Sequence, residues 1–256
     1  MRVEEGIVSA LVGLVIGSFL NVCIHRLPKG ESIVRPPSSC PVCGLPIRWY
    51  DNVPIVSFLL LKGRCRSCRS RISWRYPLVE ALTGSLFLLT LFRFGLNLRS
   101  ILLLVLICGL IVVTFVDLDH QIIPHAVTLP GIPLGLLGSL VTRDPSPRDA
   151  AAGLLIGAGL VYLVAVYAEV AFQKESMGGG DVNLLGMIGA FLGWRLALLS
   201  FFIAIVAGAG LSLVLVGARV LSRKDRIPFG PFLALGALVA LFVGDQVTGW
   251  YWGLFR

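Results

Sequence analysis

The sequence predicts an all-α, polytopic membrane protein of about eight membrane-spanning helices with one small soluble module, and three observations predict it. Of its 256 residues, 56% are hydrophobic and only 14% charged, with a mean hydropathy of +0.88. A soluble domain carries far more charge. Long apolar runs recur along the chain, separated by short polar links. The net charge of +8 is local: residues 26 to 76 hold ten Lys or Arg against two acids, and the rest of the chain is neutral. Such a surplus in one loop beside a membrane segment follows the positive-inside rule and argues against a nucleic-acid partner.

The first apolar run, 6 to 24, follows Arg2, Glu4 and Glu5 and precedes His25, Arg26 and Lys29. It lacks the leading positive charge and small-residue end of a cleavable signal peptide, so residues 1–25 read as an uncleaved helix with its N-terminus outside. Residues 26–76 then form a cytoplasmic module, and 77–256 a membrane domain. The later apolar segments fall near 77–95, 98–116, 124–142, 149–172, 182–194, 196–218 and 229–252. Alternate threading puts the links at 93–99 and 143–149 outside and those at 117–123, 173–181 and 219–228 inside. The last link carries Arg219, Arg223, Lys224 and Arg226 against Asp225, in agreement with that orientation. The segment 182–194 is too short to cross ~30 Å of hydrocarbon at 1.5 Å per residue, and reads as a half-helix, a tilted helix or one that runs on through Trp194 and Arg195.

In the soluble loop, Cys40-x-x-Cys43 and Cys65-x-x-Cys68 stand 21 residues apart, two knuckles of the kind that hold one tetrahedral zinc through four thiolates. A 51-residue loop with few large apolar side chains needs a staple to fold, and a reducing cytoplasm disfavours disulfides; free or redox thiols are the alternative use. Cys23 and Cys108 lie in apolar helices and read as small core residues.

Met177-Gly178-Gly179-Gly180-Asp181 places a carboxylate behind three glycines between two apolar segments, a functional-site candidate by default. The plain reading is a flexible connector with a solvated acid. A second acid stands 64 residues earlier, in Phe115-Val116-Asp117-Leu118-Asp119-His120-Gln121-Ile122-Ile123-Pro124, also at a membrane edge and on the same side. Two carboxylates brought together there cannot both ionise cheaply, so one keeps its proton while the other activates water. Asp119, His120 and His125 are weighed as metal ligands with Asp117, but read better as interfacial residues that order the Asp117 run. Glu80 and Glu169, near helix ends, read as anchors facing water rather than as partners of the basic loop.

These residues, with Gly17-Ser18-Phe19-Leu20-Asn21-Val22, Arg26-Leu27-Pro28, Asn52-Val53-Pro54, Gly63-Arg64-Cys65, Arg75-Tyr76-Pro77 and Pro228-Phe229-Gly230-Pro231, give a chain that resembles the type IV prepilin peptidases, inner-membrane aspartic peptidases of the GxGD type. The resemblance runs nearly end to end. It implies cleavage of the basic leader of prepilins or pseudopilins at the cytoplasmic face, after a Gly and commonly before Phe, with Asp117 and Asp181 as the catalytic pair. Gly178, Gly179 and Gly180 would let the scissile backbone come close, and Pro228 to Pro231 would wall the substrate groove.

The resemblance also implies a second activity, methylation of the new N-terminus from S-adenosylmethionine, with Gly63 and Arg64 where relatives have residues tied to methyl transfer. Nothing in the loop itself, such as a G-x-G-x-x-G after a strand, marks a cofactor pocket. The chain departs from the family pattern at His125, where relatives commonly have Asp, and at Asn183, where they commonly have Lys. The basic loop would repel a basic leader, so its charge is assigned to anionic lipid. Alternatives are a peptidase without methylation, a proton-coupled transporter using the Asp117 and Asp181 pair, and a zinc-stapled scaffold without chemistry. Serine and zinc proteases lack their G-x-S-G or H-E-x-x-H signatures here.

Overall fold

The computed structural model describes residues 3–172, 178–220 and 227–253. Arg2, Met177, Arg223, Lys224, Asp225 and Arg226 lie outside them. Among the described residues the chain forms nine α-helices: α1 Val3–Arg26, α2 Val56–Leu60, α3 Arg75–Phe94, α4 Leu98–His120, α5 His125–Thr142, α6 Pro147–Phe172, α7 Gly179–Leu192, α8 Trp194–Gly217 and α9 Gly230–Gly253. No strand occurs among them, so the all-α expectation holds. Six helices, α1, α3, α4, α5, α6 and α8, are long and apolar enough to cross a membrane, while α7 and the Gly230–Gly244 part of α9 are shorter apolar helices.

The chain packs as two units, Met1–Val112 and Val113–Arg256. In the first, α1 lies along α3. Burying leucine gains little in lipid, so association depends on close backbone approach. Gly13 and Gly17 supply it one helical turn apart. A methyl group at Gly13 would stand 2.8 Å from Gly84 Cα, and one at Gly17 would stand 2.7 Å from Glu80 Cα. Beside this contact the buried Asn21 donates to Gly17 O and Tyr76 O, satisfying its amide where water is scarce.

In the second unit, α7 is the enclosed element. It has 14 residues, about 21 Å at 1.5 Å each, and every residue from Leu184 to Leu192 is buried. Neighbours α5, α6, α8 and α9 surround it. Close approach again relies on missing side chains: a Cβ on Gly153 of α6 or Gly189 of α7 would collide with the facing carbonyl. The sequence marked this segment as too short to span; the structure wraps it in protein, where shortness costs nothing.

Two boundaries differ from the sequence reading in a way that matters. Asp117 and Asp181 are placed by sequence in links, but both are helical. Their charge ends the apolar window without ending the helix. In α4 the helix runs on to His120 and stops where Gln121 turns to a φ of 53°, its N–H capping Asp117 O. In α7 the helix starts at Gly179, so Asp181 sits in the first turn, its N–H donating to Gly178 O at 3.1 Å. A first-turn carboxylate suits the positive end of the helix dipole.

Candidate active site

Asp117 is 5% exposed. Its Oδ2 accepts the Gly230 N–H at 2.9 Å. That amide is free to donate because Gly230 opens α9, where the first N–H groups of a helix have no partner within it. A Cβ at Gly230 would stand 2.7 Å from Asp117 Oδ2, so a larger residue there would displace the carboxylate. Pro231 follows at a position where its missing N–H costs nothing. Phe229 packs edge to face on Phe201, centroids 6.3 Å apart, fixing the entry of the turn. The sequence reading of Pro228 to Pro231 as a wall did not foresee that its glycine holds one of the acids directly.

Asp181, in the first turn of α7, is half-buried. Its Oδ1 is buried and has no hydrogen-bond partner among the described residues. Such an atom is expensive to leave unpaired unless a proton, water or substrate group meets it. Both sequence-predicted acids belong to the second unit, Asp117 buried and Asp181 half-buried.

The three glycines before Asp181 differ from one another. None has a positive φ. A Cβ at Gly180 would meet Ile123 Cβ at 2.7 Å, so this glycine lets the first turn of α7 press against the chain just after the Asp117 run. Gly179 faces open space, and Gly178 caps the helix. Two residues past Ile123, the His125 ring meets Asn183: Asn183 Nδ2 stands 3.3 Å from His125 Nδ1, the amide N–H donating to the ring nitrogen. Asp119 and His120 are exposed, and Asp117, Asp119, His120 and His125 do not gather as a metal group.

The segment between α1 and α3, in the first unit, holds a second group of candidate residues. Among the described residues, Cys40, Cys43, Cys65 and Cys68 are the one cluster able to hold a metal, with all four sulfurs within 4.8 Å of one another. Cys40 Sγ and Cys68 Sγ are 3.8 Å apart, the edge of a thiolate tetrahedron built on zinc at ~2.3 Å. The two knuckles are the same turn made twice. Gly44 N–H bonds Cys40 O and Arg69 N–H bonds Cys65 O, at 2.9 and 3.0 Å. Gly44 and Arg69 both have a left-handed φ, near 70° and 60°. Backbone N–H groups of Cys43 and Val42 bring the Cys40 thiol down to about 6. At Cys43 the Leu45 N–H acts in the same sense, but burial and the neighbouring thiols outweigh it and push Cys43 up to about 11. Four sulfurs so crowded cannot all ionise by themselves, and a divalent cation relieves that. The cluster fits zinc.

Beside the cluster opens a cleft of about 420 Å³, lined by Phe58, Lys62, Gly63, Arg64, Arg71 and Trp74 among others. Phe58 and Trp74 meet edge to face at 4.7 Å. Gly63 has a φ of +65° and lies against the Phe58 ring, so it shapes the floor of the cleft. The sequence reading found no pocket here because the cleft is built from the turn after α2 and the approach to α3, not from a phosphate-binding motif.

Glu80 corrects the sequence reading. It is 7% exposed rather than facing water. Its Oε2 accepts the Ile55 N–H at 2.7 Å, tying the module to α3. Ile55 has φ 59° and ψ −49°, with Val56 N–H bonded back to Pro54 O, the strained γ-turn that a β-branched residue adopts only when held. Glu169 is exposed, as expected of an anchor.

Two family models match the chain, one after the other. The bacterial peptidase A24 N-terminal domain matches residues 11–94, and the type IV leader peptidase family matches residues 104–213. A prepilin leader peptidase/N-methyltransferase of Pseudomonas aeruginosa is 36% identical over 264 residues, covering 94% of this chain and 91% of that one. One from Stutzerimonas stutzeri has the same identity and coverage. One from Myxococcus xanthus is 42% identical over 217 residues, covering 84% of this chain and 65% of that one. No solved structure matches the chain. With similarity of this extent to relatives covered nearly end to end, the chain belongs to the type IV leader peptidase family.

Proposed function

We propose that the chain is a membrane-embedded aspartic endopeptidase that removes the leader of type IV prepilins or pseudopilins at the cytoplasmic face of the bacterial inner membrane. The observation that carries this reading is the two acids of the second unit, Asp117 buried and held by the Gly230 amide and Asp181 with a buried, unpartnered oxygen. Asp117 and Asp181 share one proton. The ionised member takes a proton from water as its oxygen adds to the scissile carbonyl carbon, and the protonated member gives its proton to the leaving amine as the C–N bond breaks. The coupled pair titrates as a unit, so neither member is named base. Gly179, open to its surroundings, leaves room for a substrate backbone beside Asp181.

The relatives' names add N-methylation. In this chain the soluble module supports that reading. Zinc held by Cys40, Cys43, Cys65 and Cys68 would fix the knuckles that frame the cleft. Trp74 and Phe58 offer aromatic faces to an adenine, and Arg64 and Arg71 offer partners to a carboxylate. S-adenosylmethionine, when bound, supplies an electrophilic methyl group. We place the eight main helices across the membrane with the N-terminus periplasmic, on the strength of the charge surplus in residues 26 to 76.

The test is incubation of the purified full chain with a candidate prepilin and S-adenosylmethionine in detergent, followed by mass measurement of the products. Loss of the leader and a further gain of about 14 Da at the new N-terminus are expected. A transporter would leave the substrate intact, since detergent holds no gradient.

A further inference from the structure

We propose that His125 and Asn183 form a positioning pair that sets the spacing of the two acids. This rests on the peptidase reading above. His125 is the first residue of α5 and stands eight residues after Asp117; Asn183 is in the first turns of α7, two residues after Asp181. The bond from Asn183 Nδ2 to His125 Nδ1, 3.3 Å long, therefore joins the segment leaving one acid to the helix carrying the other. A second contact lies alongside it, Ile123 against the bare Cα of Gly180. The two act differently. Ile123 and Gly180 limit how close the segments come, whereas a directional hydrogen bond fixes the rotation of the first turn of α7, and with it the aim of Asp181.

This also accounts for the two departures from the family pattern. They are partners, one neutral donor and one neutral acceptor, where the common residues would meet as opposite charges. Changing one position alone leaves either an unpaired group or an extra charge beside the acids. Neither residue needs to touch the substrate.

The test uses the full chain in detergent with a prepilin substrate, measuring kcat and KM after thermal unfolding of each variant has been compared with the native protein. H125A and N183A should each lower kcat by roughly ten- to a hundredfold, the size of effect a misplacement of about 1 Å produces, with KM within about twofold. The double variant H125A/N183A should be no slower than the slower single, because both remove one bond. H125D alone adds a carboxylate beside the pair and should be slow, while H125D/N183K should recover to within about threefold of native. If H125A fails to fold, N183A and the charge-pair variant carry the test. Native kcat in N183A, losses that multiply in the double variant, a loss confined to KM, or H125D/N183K as slow as H125D would each overturn the pair. A native chain that cuts nothing would overturn the peptidase reading instead.

Discussion

The Gly230 N–H and the Asp117 carboxylate meet at 2.9 Å, with no room between them for so much as a methyl group. The start of one helix is thereby made into the holder of an acid on another, 113 residues away in sequence. G230A should push the Asp117 carboxylate off its donor and lower kcat at least tenfold, with secondary structure unchanged by circular dichroism. A G230A protein of native activity would show that the amide does not hold a working acid.

The three glycines before Asp181 should not be equivalent. A Cβ at position 180 collides with Ile123, whereas one at 179 meets nothing. G180A is expected to lose most cleavage and several degrees of thermal stability, as overpacking costs roughly 1–3 kcal/mol. G179A should fold as well as the native chain or better, since alanine favours a helix start over glycine. Thermal unfolding of the two variants side by side decides it; equal losses would contradict the packing role assigned to Gly180.

Glu80 is expected to act through the module. E80A leaves the Ile55 N–H without its acceptor, at about 1–3 kcal/mol, and removes what holds a strained turn. E80Q keeps an oxygen in place. Limited proteolysis should therefore cut between residues 50 and 62 faster in E80A than in native protein, and at the native rate in E80Q. Identical digestion of all three would refute the tie.

The four-cysteine cluster is expected to carry about one zinc per chain by elemental analysis. C65S should lose it, and the module should unfold locally while the membrane helices persist. Methylation should then be lost and some cleavage retained. Native protein without zinc, or a C65S protein that methylates but does not cleave, would contradict the assignment.

Most of the architecture was legible because membrane segments announce themselves by composition: each long apolar run became a helix, within a few residues. The four-cysteine cluster was legible from spacing, since Cys-x-x-Cys puts two sulfurs on one turn. What the sequence hid was contact between distant segments. Nothing local says that Glu80 turns inward to Ile55, that the amide of Gly230 rather than a side chain serves Asp117, or that His125 and Asn183 meet across 58 residues. Apolar windows also stop at the first charge, which is why Asp117 and Asp181 were placed in links when the backbone hydrogen bonds carry both inside helices.

The central claim is that Asp117 and Asp181 act as one catalytic unit, and the most direct measurement is the rate at which D117N, D181N and the double variant cut a prepilin, beside the native chain and an Asp119→Asn control. The account predicts that each single change abolishes cleavage in a folded protein, that the double is no worse than either, and that the control still cuts. Substantial cleavage by D117N or D181N, with the protein intact, would contradict it.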